Sequence, residues 1–209
     1  MKRSMLITFE GPDGCGKSTQ IKLLARALRK EGFPVLVTRQ PGGTRIGTLL
    51  RSLVLDPKNT NLSARAELFL YLADRAQHVH EIVAPALKQG AIVLVDRYMD
   101  STWVYQGMGR GFSLKLIEAC NDFAVGDAIP RLTVVFDVAA RVGLARVGRG
   151  RGRIDRMESQ SLAFHRRVSA GFRKLKKRFG KRVAIVNANA PIEKIHHQVR
   201  ALVKKRLGV

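Results

Sequence analysis

The sequence contains few cysteines and no long apolar run, and these absences exclude several classes of protein. Cys15 and Cys120 are the only cysteines among 209 residues, and they have neither the spacing of metal ligands nor the number that a disulfide framework needs. No stretch approaches the roughly 20 apolar residues of a membrane-spanning helix, and the apolar run at residues 5–9 is too short for the core of a signal peptide. We therefore expect a soluble protein of the reducing cytoplasm.

Acidic residues are also scarce, because 16 Asp and Glu stand against 38 Lys and Arg and leave a formal net charge of +22. The excess is concentrated in a basic C-terminal third, residues 141–209. Between Arg141 and Arg182 there are 15 Lys and Arg but only two acidic residues. Such a field attracts polyanionic partners, which range from nucleic acid to phosphorylated metabolites. The charge does not choose between them, and a basic helix can equally be a solvated surface.

Short apolar runs alternate with helix-period segments along the chain. Five runs have strand-like composition, at residues 6–9, 35–38, 92–95, 132–136 and 183–186. Strands that alternate with helices form βαβ units with a parallel sheet. We therefore predict a single α/β domain over residues 1–209, with the three-layer P-loop fold of a five-stranded parallel sheet covered by helices on both faces. Ligands of such sheets bind beyond the carboxyl ends of the strands.

The first predicted strand leads into a glycine loop with the G-x-x-x-x-G-K-[ST] pattern of a phosphate-binding P-loop. Residues 11–18 read GPDGCGKS, and a helical pattern follows directly, so the strand and the helix that the motif requires are both present. In this arrangement backbone N–H groups surround the β-phosphate of ATP, the lysine reaches the β and γ oxygens, and the hydroxyl holds Mg²⁺. The predicted ATP-phosphate residues are Gly11, Gly14, Cys15, Gly16, Lys17, Ser18 and Thr19.

A carboxylate at the end of the third predicted strand completes the metal site. Asp96 follows the apolar run at residues 92–95, where P-loop proteins carry the acid that holds the Mg²⁺ water shell. An Asp at a strand end is also a common turn residue, but the P-loop favours the functional interpretation. We therefore predict that Mg²⁺ lies between Ser18 and Asp96.

Arginines lie beside turn signals in four segments, whereas no Ser-His-Asp or Cys-His pattern is present. Transfer of a phosphoryl group to another phosphate starts from an anionic nucleophile, so it needs cations more than bases. The arginine fork suits that need because it binds phosphate oxygens in pairs and stays charged. The five histidines lie in helical patterns, where we expect lightly packed or solvent-facing positions. The four arginine segments are Arg39, Arg51, Arg97 and residues 149–153.

In these residues the chain resembles the thymidylate kinase family over nearly its whole length. The segment FEGPDGCGKST at residues 9–19 includes Asp13, which in the family lies near the sugar 3′-hydroxyl and the metal. Residues 38–44, TRQPGGT, resemble the family's TREPGGT loop, which lines the acceptor pocket and has Gln40 here in place of Glu. The arginine that clamps the acceptor phosphate follows at Arg51. The resemblance implies that ATP and dTMP are the substrates and that the chain forms a homodimer.

Residues 67–77 resemble the helix with which the family binds the base. Tyr71 matches the aromatic ring that stacks on thymine, and Arg75 matches the arginine that bonds the base edge. The spacing of four residues puts both side chains on one helix face. The alternative for Tyr71 is ordinary core packing.

The segment that follows the third strand resembles the family's DRY motif. It begins Asp96-Arg97-Tyr98, and the resemblance implies that Arg97 holds a phosphate group. It also implies a preference for deoxynucleotides, because a tyrosine ring would crowd a ribose 2′-hydroxyl. The residues implied for the base and the sugar are Thr102, Tyr105 and Gln106.

Residues 155–158, DRME, are similar to the end of the family's lid, which closes over ATP. We expect a mobile lid over about residues 148–156. Some members carry the catalytic arginine in the P-loop and others carry it in the lid. Gly14 occupies the P-loop position, which implies that Arg151 is the catalytic arginine, with Arg149 as its alternative. The implied catalytic set is Lys17, Arg97, Arg151 and Asp13.

Three departures from the family pattern leave two functions open. Gln40 replaces an acid, Met157 replaces an aromatic or branched residue, and Arg153 stands where an acid is common. The first function is phosphorylation of dTMP to dTDP by ATP. The second is a diverged kinase-fold protein of altered or weak activity that binds nucleic acid or another polyanion through its basic C-terminal third. The intact P-loop and arginine set favours the first.

Overall fold

The computed structural model describes residues 4–150 and 154–209, with the backbone alone at residues 149 and 150. Five strands form one sheet in the order β2-β3-β1-β4-β5, and every neighbouring pair is parallel. The predicted five-stranded parallel sheet is therefore confirmed. The strands are β1 (Met5–Glu10), β2 (Val35–Arg39), β3 (Ile92–Asp96), β4 (Leu132–Asp137) and β5 (Val183–Asn187).

Helices cover both faces of the sheet, and most of them start or end where the sequence gives a physical reason. Serine or threonine hydroxyls cap three of them at Thr44, Ser63 and Ser161, where each side chain accepts a hydrogen bond from a backbone N–H of the first turn. Among the described residues, no helix is both long and apolar enough to cross a bilayer. The helices are α1 (Lys17–Lys30), α2 (Arg45–Leu55), α3 (Ala64–His78), α4 (Ala84–Lys88), α5 (Met99–Thr102), α6 (Leu114–Val125), α7 (Ala140–Gly150), α8 (Leu162–Phe179) and α9 (Ile192–Leu207).

Two of these helices are extended by π-helical segments. Val79–Val83 joins α3 to α4, and Trp103–Gly109 continues α5. Six of the seven residues in Trp103–Gly109 are buried, so this segment packs between the sheet and α8. It carries two of the residues implied for the base and the sugar.

The central strand β1 is buried on both faces, which explains why most of its residues are apolar. One face, with Ile7 and Phe9, packs against α1 and α9, and the other, with Leu6, packs against apolar residues near α4. Thr8 is polar, and its Oγ1 shares a hydrogen bond of 2.8 Å with Oγ1 of Thr133 in β4. The buried core therefore holds the carboxyl end of β1 rigidly, directly before the glycine loop.

The alternating sequence GRGRGR at residues 148–153, within the predicted lid, is typical of a loop, but its first residues are not in one. α7 continues to Gly150, so residues 148–150 are helical rather than part of a loop. The helix that begins at Ala140 extends to this point although each glycine inside a helix costs about 1 kcal/mol relative to alanine. Residues 151–153, with Arg151 and Arg153, lie outside the described residues.

Two histidines also differ from expectation, because they are buried. The His78 side chain is fully buried, and its Nε2 lies 2.7 Å from Oγ1 of Thr38. Burial, with a further contribution from the nearby Arg75 charge, lowers the pKa of His78 to about 4. His165 is 5% exposed, and its Nε2 lies 3.2 Å from the carbonyl oxygen of Glu158. Helical periodicity indicates the helix but not which of its faces the other elements cover.

Candidate functional site

One cavity of about 830 Å³ lies at the carboxyl edge of β1, β2 and β3. This edge is where open parallel sheets bind ligands. The structure brings the predicted site residues together along its walls, although they come from segments far apart in the sequence. Those that line the cavity are Asp13, Gly14, Cys15, Gly16, Lys17, Ser18, Thr19, Gln40, Arg51, Tyr71, Arg75, Asp96, Arg97, Thr102, Tyr105 and Gln106.

The glycine loop at one end of the cavity needs glycine at two positions. Gly11 has φ +140°, and a Cβ there would lie 2.6 Å from the carbonyl oxygen of Phe136. Gly14 has φ +71°, and a Cβ there would lie 2.2 Å from the carbonyl oxygen of Gly143. Both backbone conformations are ones that residues with a Cβ rarely adopt. The loop therefore folds against β4 and α7, in a shape that turns toward the start of α1.

Lys17, the first residue of α1, is 7% exposed. Its Nζ donates to the carbonyl oxygens of Pro12 at 2.9 Å and Gly11 at 3.1 Å. The ammonium group is thus held beside the loop by backbone atoms, with no carboxylate bonded to it among the described residues. The positive charge of Lys17 is therefore available to a phosphate in the loop without the loss of an ion pair.

Ser18 and Asp96 meet at the mouth of the loop. The Ser18 hydroxyl donates to Oδ2 of Asp96 at 2.8 Å. A hydroxyl and a carboxylate are hard oxygen ligands, and Mg²⁺ in nucleotide sites takes one or two such protein groups together with water and phosphate oxygens. The described residues include no cluster of three His, Cys, Asp or Glu that could hold a metal without such additional ligands. The pair therefore fits a magnesium ion that arrives with a nucleotide.

Arg97 directly follows β3 and has a left-handed backbone, with φ +66°. This conformation is uncommon for a residue with a Cβ and is concentrated at functional sites. The guanidinium donates to Oδ1 of Asp13 at 2.6 Å and to the carbonyl oxygen of Gly11 at 3.0 Å. Its central carbon lies 5.2 Å from the centre of the Tyr105 ring. Arg97 therefore lies between the phosphate loop and the rest of the cavity.

Asp13 is bound on both of its oxygens, because Oδ2 accepts a hydrogen bond of 3.2 Å from the Tyr105 hydroxyl. Burial alone would raise its pKa, but the charges of Arg97 and Lys17 and the hydrogen bonds outweigh burial and lower the pKa to about 2. Asp13 is therefore ionised at every physiological pH. Its charge and that of Arg97 largely cancel until an anionic ligand enters.

Glu10, the last residue of β1, supports this region from behind, and sequence reasoning missed it. It is fully buried and accepts hydrogen bonds from the Tyr98 N–H at 2.7 Å and from the Ser101 hydroxyl at 2.5 Å. Burial, together with the nearby Asp100 carboxylate, raises its pKa. An acid at the end of a mostly apolar strand was the available signal in the sequence. Glu10 anchors the turn that carries Arg97.

The far end of the cavity is built around Arg75, which is 2% exposed. Its Nε donates to Oε1 of Gln40 at 3.1 Å, and Nη1 donates to Oγ1 of Thr102 at 2.9 Å. Nη1 and Nη2 also donate to Oδ1 of Asn121 and to the carbonyl oxygen of Tyr98. All four acceptors are uncharged. Because a guanidinium has five N–H donors, one remains for a ligand.

Tyr71 and Arg51 line the same cavity on neighbouring helices. Arg51 donates from Nη1 to the carbonyl oxygen of Pro41 at 2.9 Å, which holds it against the TRQPGGT loop. Burial, with the nearby Glu67 carboxylate, raises the pKa of Tyr71. Tyr71 is therefore a neutral ring in the wall of the cavity, one helical turn from Arg75.

Glu67 is the second residue that sequence reasoning missed as a site component. It lies in the first turn of α3, it is fully buried, and its two oxygens accept hydrogen bonds from three side chains. These are Gln106 Nε2 at 2.8 Å, Arg110 Nη2 at 2.8 Å and Arg156 Nη2 at 2.7 Å. Glu67 does not itself line the cavity, but it joins three segments that form the wall. A charged residue among the apolar residues of a helix was its only sequence signal.

The end of the predicted lid and the residues directly after it line the remaining side of the cavity. Asp155, Met157 and Glu158 line the cavity, and Oδ1 of Asp155 accepts hydrogen bonds from the backbone N–H groups of Met157 and Glu158. Arg156 turns away, and its Nε donates to the carbonyl oxygen of Val54 at 2.8 Å. The predicted catalytic Arg151 and the side chain of Arg149 lie outside the described residues.

The chain is similar to thymidylate kinases in sequence and in structure. A thymidylate kinase family model matches residues 9–199. The thymidylate kinase of Nitratidesulfovibrio vulgaris is 46% identical, over 98% of this chain and 94% of its own length. That of Geobacillus sp. is 41% identical over 98% of both chains. The crystal structure of thymidylate kinase from Ehrlichia chaffeensis has a TM-score of 0.77 at 34% identity, and the match covers 96% of this chain and 98% of that one.

Proposed function

Because this chain belongs to the thymidylate kinase family, we propose that it transfers the γ-phosphate of ATP to dTMP and produces dTDP and ADP. The observation that carries the proposal is a single cavity with a phosphate loop at one end and the Arg75 side chain at the other. Two nucleotides that meet end to end would place their phosphates between these ends, next to Arg97. Both substrates are small anions that would reach the protein in the cytoplasm, where we expect it to work.

The phosphate acceptor needs cations and not a base, and the cavity supplies them. Arg97 and Arg51 would hold the dTMP phosphate, and Lys17 would stabilise the charge on the β and γ oxygens of ATP. Asp13 would keep Arg97 in place and lie near the sugar. Charge neutralisation of this kind acts most strongly where water is excluded.

The Ser18 and Asp96 oxygens would hold Mg²⁺, which, when bound with ATP, neutralises charge on its β- and γ-phosphate oxygens. We further propose that residues 1–209 act as one domain, whose lid at about residues 148–156 closes over ATP. In that closed state Arg151 would supply the remaining positive charge at the transferred group, with Arg149 as its alternative.

At the base end, Tyr71 would stack on thymine while Arg75 bonds its edge, with Thr102 and Gln106 beside them. The Tyr105 ring, held by its hydrogen bond to Asp13, would leave no room for a ribose 2′-hydroxyl. The pyrimidine pocket and the blocked 2′ position together select a deoxypyrimidine. Gln40 supports this end by accepting from Arg75, as one oxygen of an acid would.

The test is ADP release from ATP with a panel of nucleoside monophosphates. We expect kcat/KM to be highest for dTMP and lower by one to two orders of magnitude for dUMP, because one buried methyl group is worth about 1–3 kcal/mol. UMP, AMP and dGMP should remain near background. If AMP or dGMP were the best acceptor, the thymidylate assignment would be wrong although the P-loop kinase would remain. Turnover near background with every acceptor would favour the polyanion-binding alternative.

We also propose a homodimer, which an apolar surface on three adjacent helices supports. α3 packs against both α2 and α6, and the three helices expose large apolar side chains. Contiguous exposed apolar patches on soluble proteins commonly mark interfaces. The most exposed members are Leu49, Leu53, Phe69, Leu116 and Phe123, and Phe123 is 94% exposed.

The proposed interface predicts a change of mass in solution. Light scattering on the wild-type protein should give two chains of 23.2 kDa each, whereas the double variant Phe69→Glu/Phe123→Glu should give one. Two carboxylates from each chain would have to lose their hydration at the interface, which costs several kcal/mol for each charge. Ile192→Glu on α9, where the side chain is 51% exposed, is the matched control and should stay dimeric. A monomeric wild type at micromolar concentration would rule out this interface.

A further inference from the structure

Glu67 stands behind the cavity wall and bonds Gln106, which lines it. We propose that Glu67 is a positioning residue for base selection: it orients the Gln106 amide so that the Gln106 carbonyl oxygen accepts a hydrogen bond from N3–H of the pyrimidine. The inference rests on the proposed function, because it assumes that the base lies at this end of the cavity. Its consequence is discrimination between pyrimidines that donate at N3 and those that accept there.

The orientation follows from the chemistry of the two side chains. An ionised carboxylate only accepts hydrogen bonds, whereas a primary amide has a donor end and an acceptor end of similar shape. Oε1 of Glu67 can therefore bond Gln106 only through its Nε2, as it does at 2.8 Å. A neutral partner at position 67 would accept either end of the amide.

The carboxylate is held in its charged form and in one position. Arg110 donates to both Glu67 oxygens, from Nε at 3.2 Å and from Nη2 at 2.8 Å, and Arg156 donates from Nη2 at 2.7 Å. These bonds and the arginine charges lower the pKa of Glu67 although burial alone would raise it. Arg110 is fixed in turn, because its Nη1 donates to Oε1 of Gln160 at 2.9 Å. The Glu67 carboxylate is therefore held in the position in which it bonds the Gln106 amide.

The acceptor end of Gln106 is the part that remains for a ligand. The side chain is 1% exposed, and among the described residues its Oε1 receives no hydrogen bond and is not sealed off from the cavity. Thymine and uracil carry N3–H, which would donate to this oxygen. In cytosine, N3 is an acceptor, so its lone pair would face Oε1 of Gln106 and repel it. A site built to bond one partner rejects an analogue that leaves the bond unmade.

The experiment compares dTMP with 5-methyl-dCMP, which keeps the 5-methyl group but has an N3 that accepts a hydrogen bond where that of dTMP donates one. We expect Glu67→Gln to lower the ratio of kcat/KM for dTMP over 5-methyl-dCMP about tenfold, the factor that one hydrogen bond of ordinary strength makes. In the Gln106→Met background the same substitution at Glu67 should leave the ratio unchanged. Such a double-mutant cycle isolates the pair, because Arg75 acts equally in all four proteins. An unchanged ratio in Glu67→Gln, or an equal shift in both backgrounds, would overturn the proposal.

Two further measurements separate this idea from a loss of structure and from a wrong function. Asp100→Asn removes a carboxylate that is also buried and also paired, with Arg182 at 2.7 Å, but lies outside the cavity lining. Asp100→Asn should lower Tm and leave the ratio of kcat/KM for dTMP over 5-methyl-dCMP unchanged.

If Glu67→Gln fails to fold, the single variant Gln106→Met is the test: kcat/KM should fall about tenfold for dTMP and should not fall for 5-methyl-dCMP. A parallel fall for both substrates would contradict the proposal. Lack of dTMP turnover by the wild type would instead reject the proposed function.

Discussion

Lys17→Ala is expected to lower kcat at least about 10³-fold while the protein stays folded, because one preorganised charge on the transferred group is worth that much in a site closed to water. Among the residues that the structure describes, the Nζ of Lys17 bonds backbone carbonyl oxygens and the Cys15 sulfur and no carboxylate. Its removal therefore leaves no buried opposite charge unpaired. Steady-state ADP release with saturating dTMP and ATP measures the effect, and circular dichroism checks the fold.

The matched control for this variant is Lys30→Ala. Lys30 is the last residue of the same helix and is exposed, so its loss should change kcat less than about twofold, as for surface substitutions. The Tm of Lys17→Ala should fall by no more than about 8 °C, since the lost bonds are worth about 1–2 kcal/mol. A folded Lys17→Ala protein with turnover near that of the wild type would refute phosphoryl transfer at this loop.

Arg97→Lys is expected to lower kcat/KM for dTMP about 10²- to 10³-fold, although it preserves the charge. The Arg97 guanidinium reaches two separate groups, Oδ1 of Asp13 and the carbonyl oxygen of Gly11, and still lies across the Tyr105 ring. A lysine has no planar fork and can meet only part of this geometry. The loss should therefore appear with dTMP at every ATP concentration, in the same coupled assay.

Arg182→Lys is a closely matched control for that substitution. The Arg182 side chain is 16% exposed and that of Arg97 is 18% exposed, and each pairs with one aspartate. Arg182 does not line the cavity, so its replacement by Lys should lower Tm and leave kcat/KM within about twofold. Equal losses from both substitutions would show that Arg97 acts only through stability.

The sheet and the phosphate loop could be predicted because their signals are local. Each strand is a short run of apolar residues beside a turn, and the sheet has the five strands at the predicted positions, each longer by one or two residues. The P-loop motif needs only its own residues and the flanking strand and helix, and both flanking elements are present. The thymidylate kinase family is confirmed by the relatives, whereas the residue roles carried over from it remain predictions.

The network behind the cavity could not be predicted, because it depends on contacts between distant segments. Glu67 meets Arg156 across a sequence separation of 89 residues, and Glu10 meets Tyr98 across 88. A single sequence shows that charged residues occur in apolar surroundings but not which partners neutralise them. The uncharged hydrogen-bond partners of Arg75 could not be predicted for the same reason, since Thr102 and Asn121 come from two other helices.

The position of β1 in the middle of the sheet has a consequence for synthesis on the ribosome. β1 precedes both of its partners, β3 and β4, in the chain, and the bonded hydroxyls of Thr8 and Thr133 are 125 residues apart. At roughly 5–20 residues per second, β1 is synthesised about 6 to 25 s before the part of β4 with which it pairs. During that time its apolar faces are open to chaperones and to aggregation. A nascent chain that stops before β4 carries every residue of the P-loop motif but lacks Phe136 and Gly143, whose carbonyl groups lie against Gly11 and Gly14 in the folded protein.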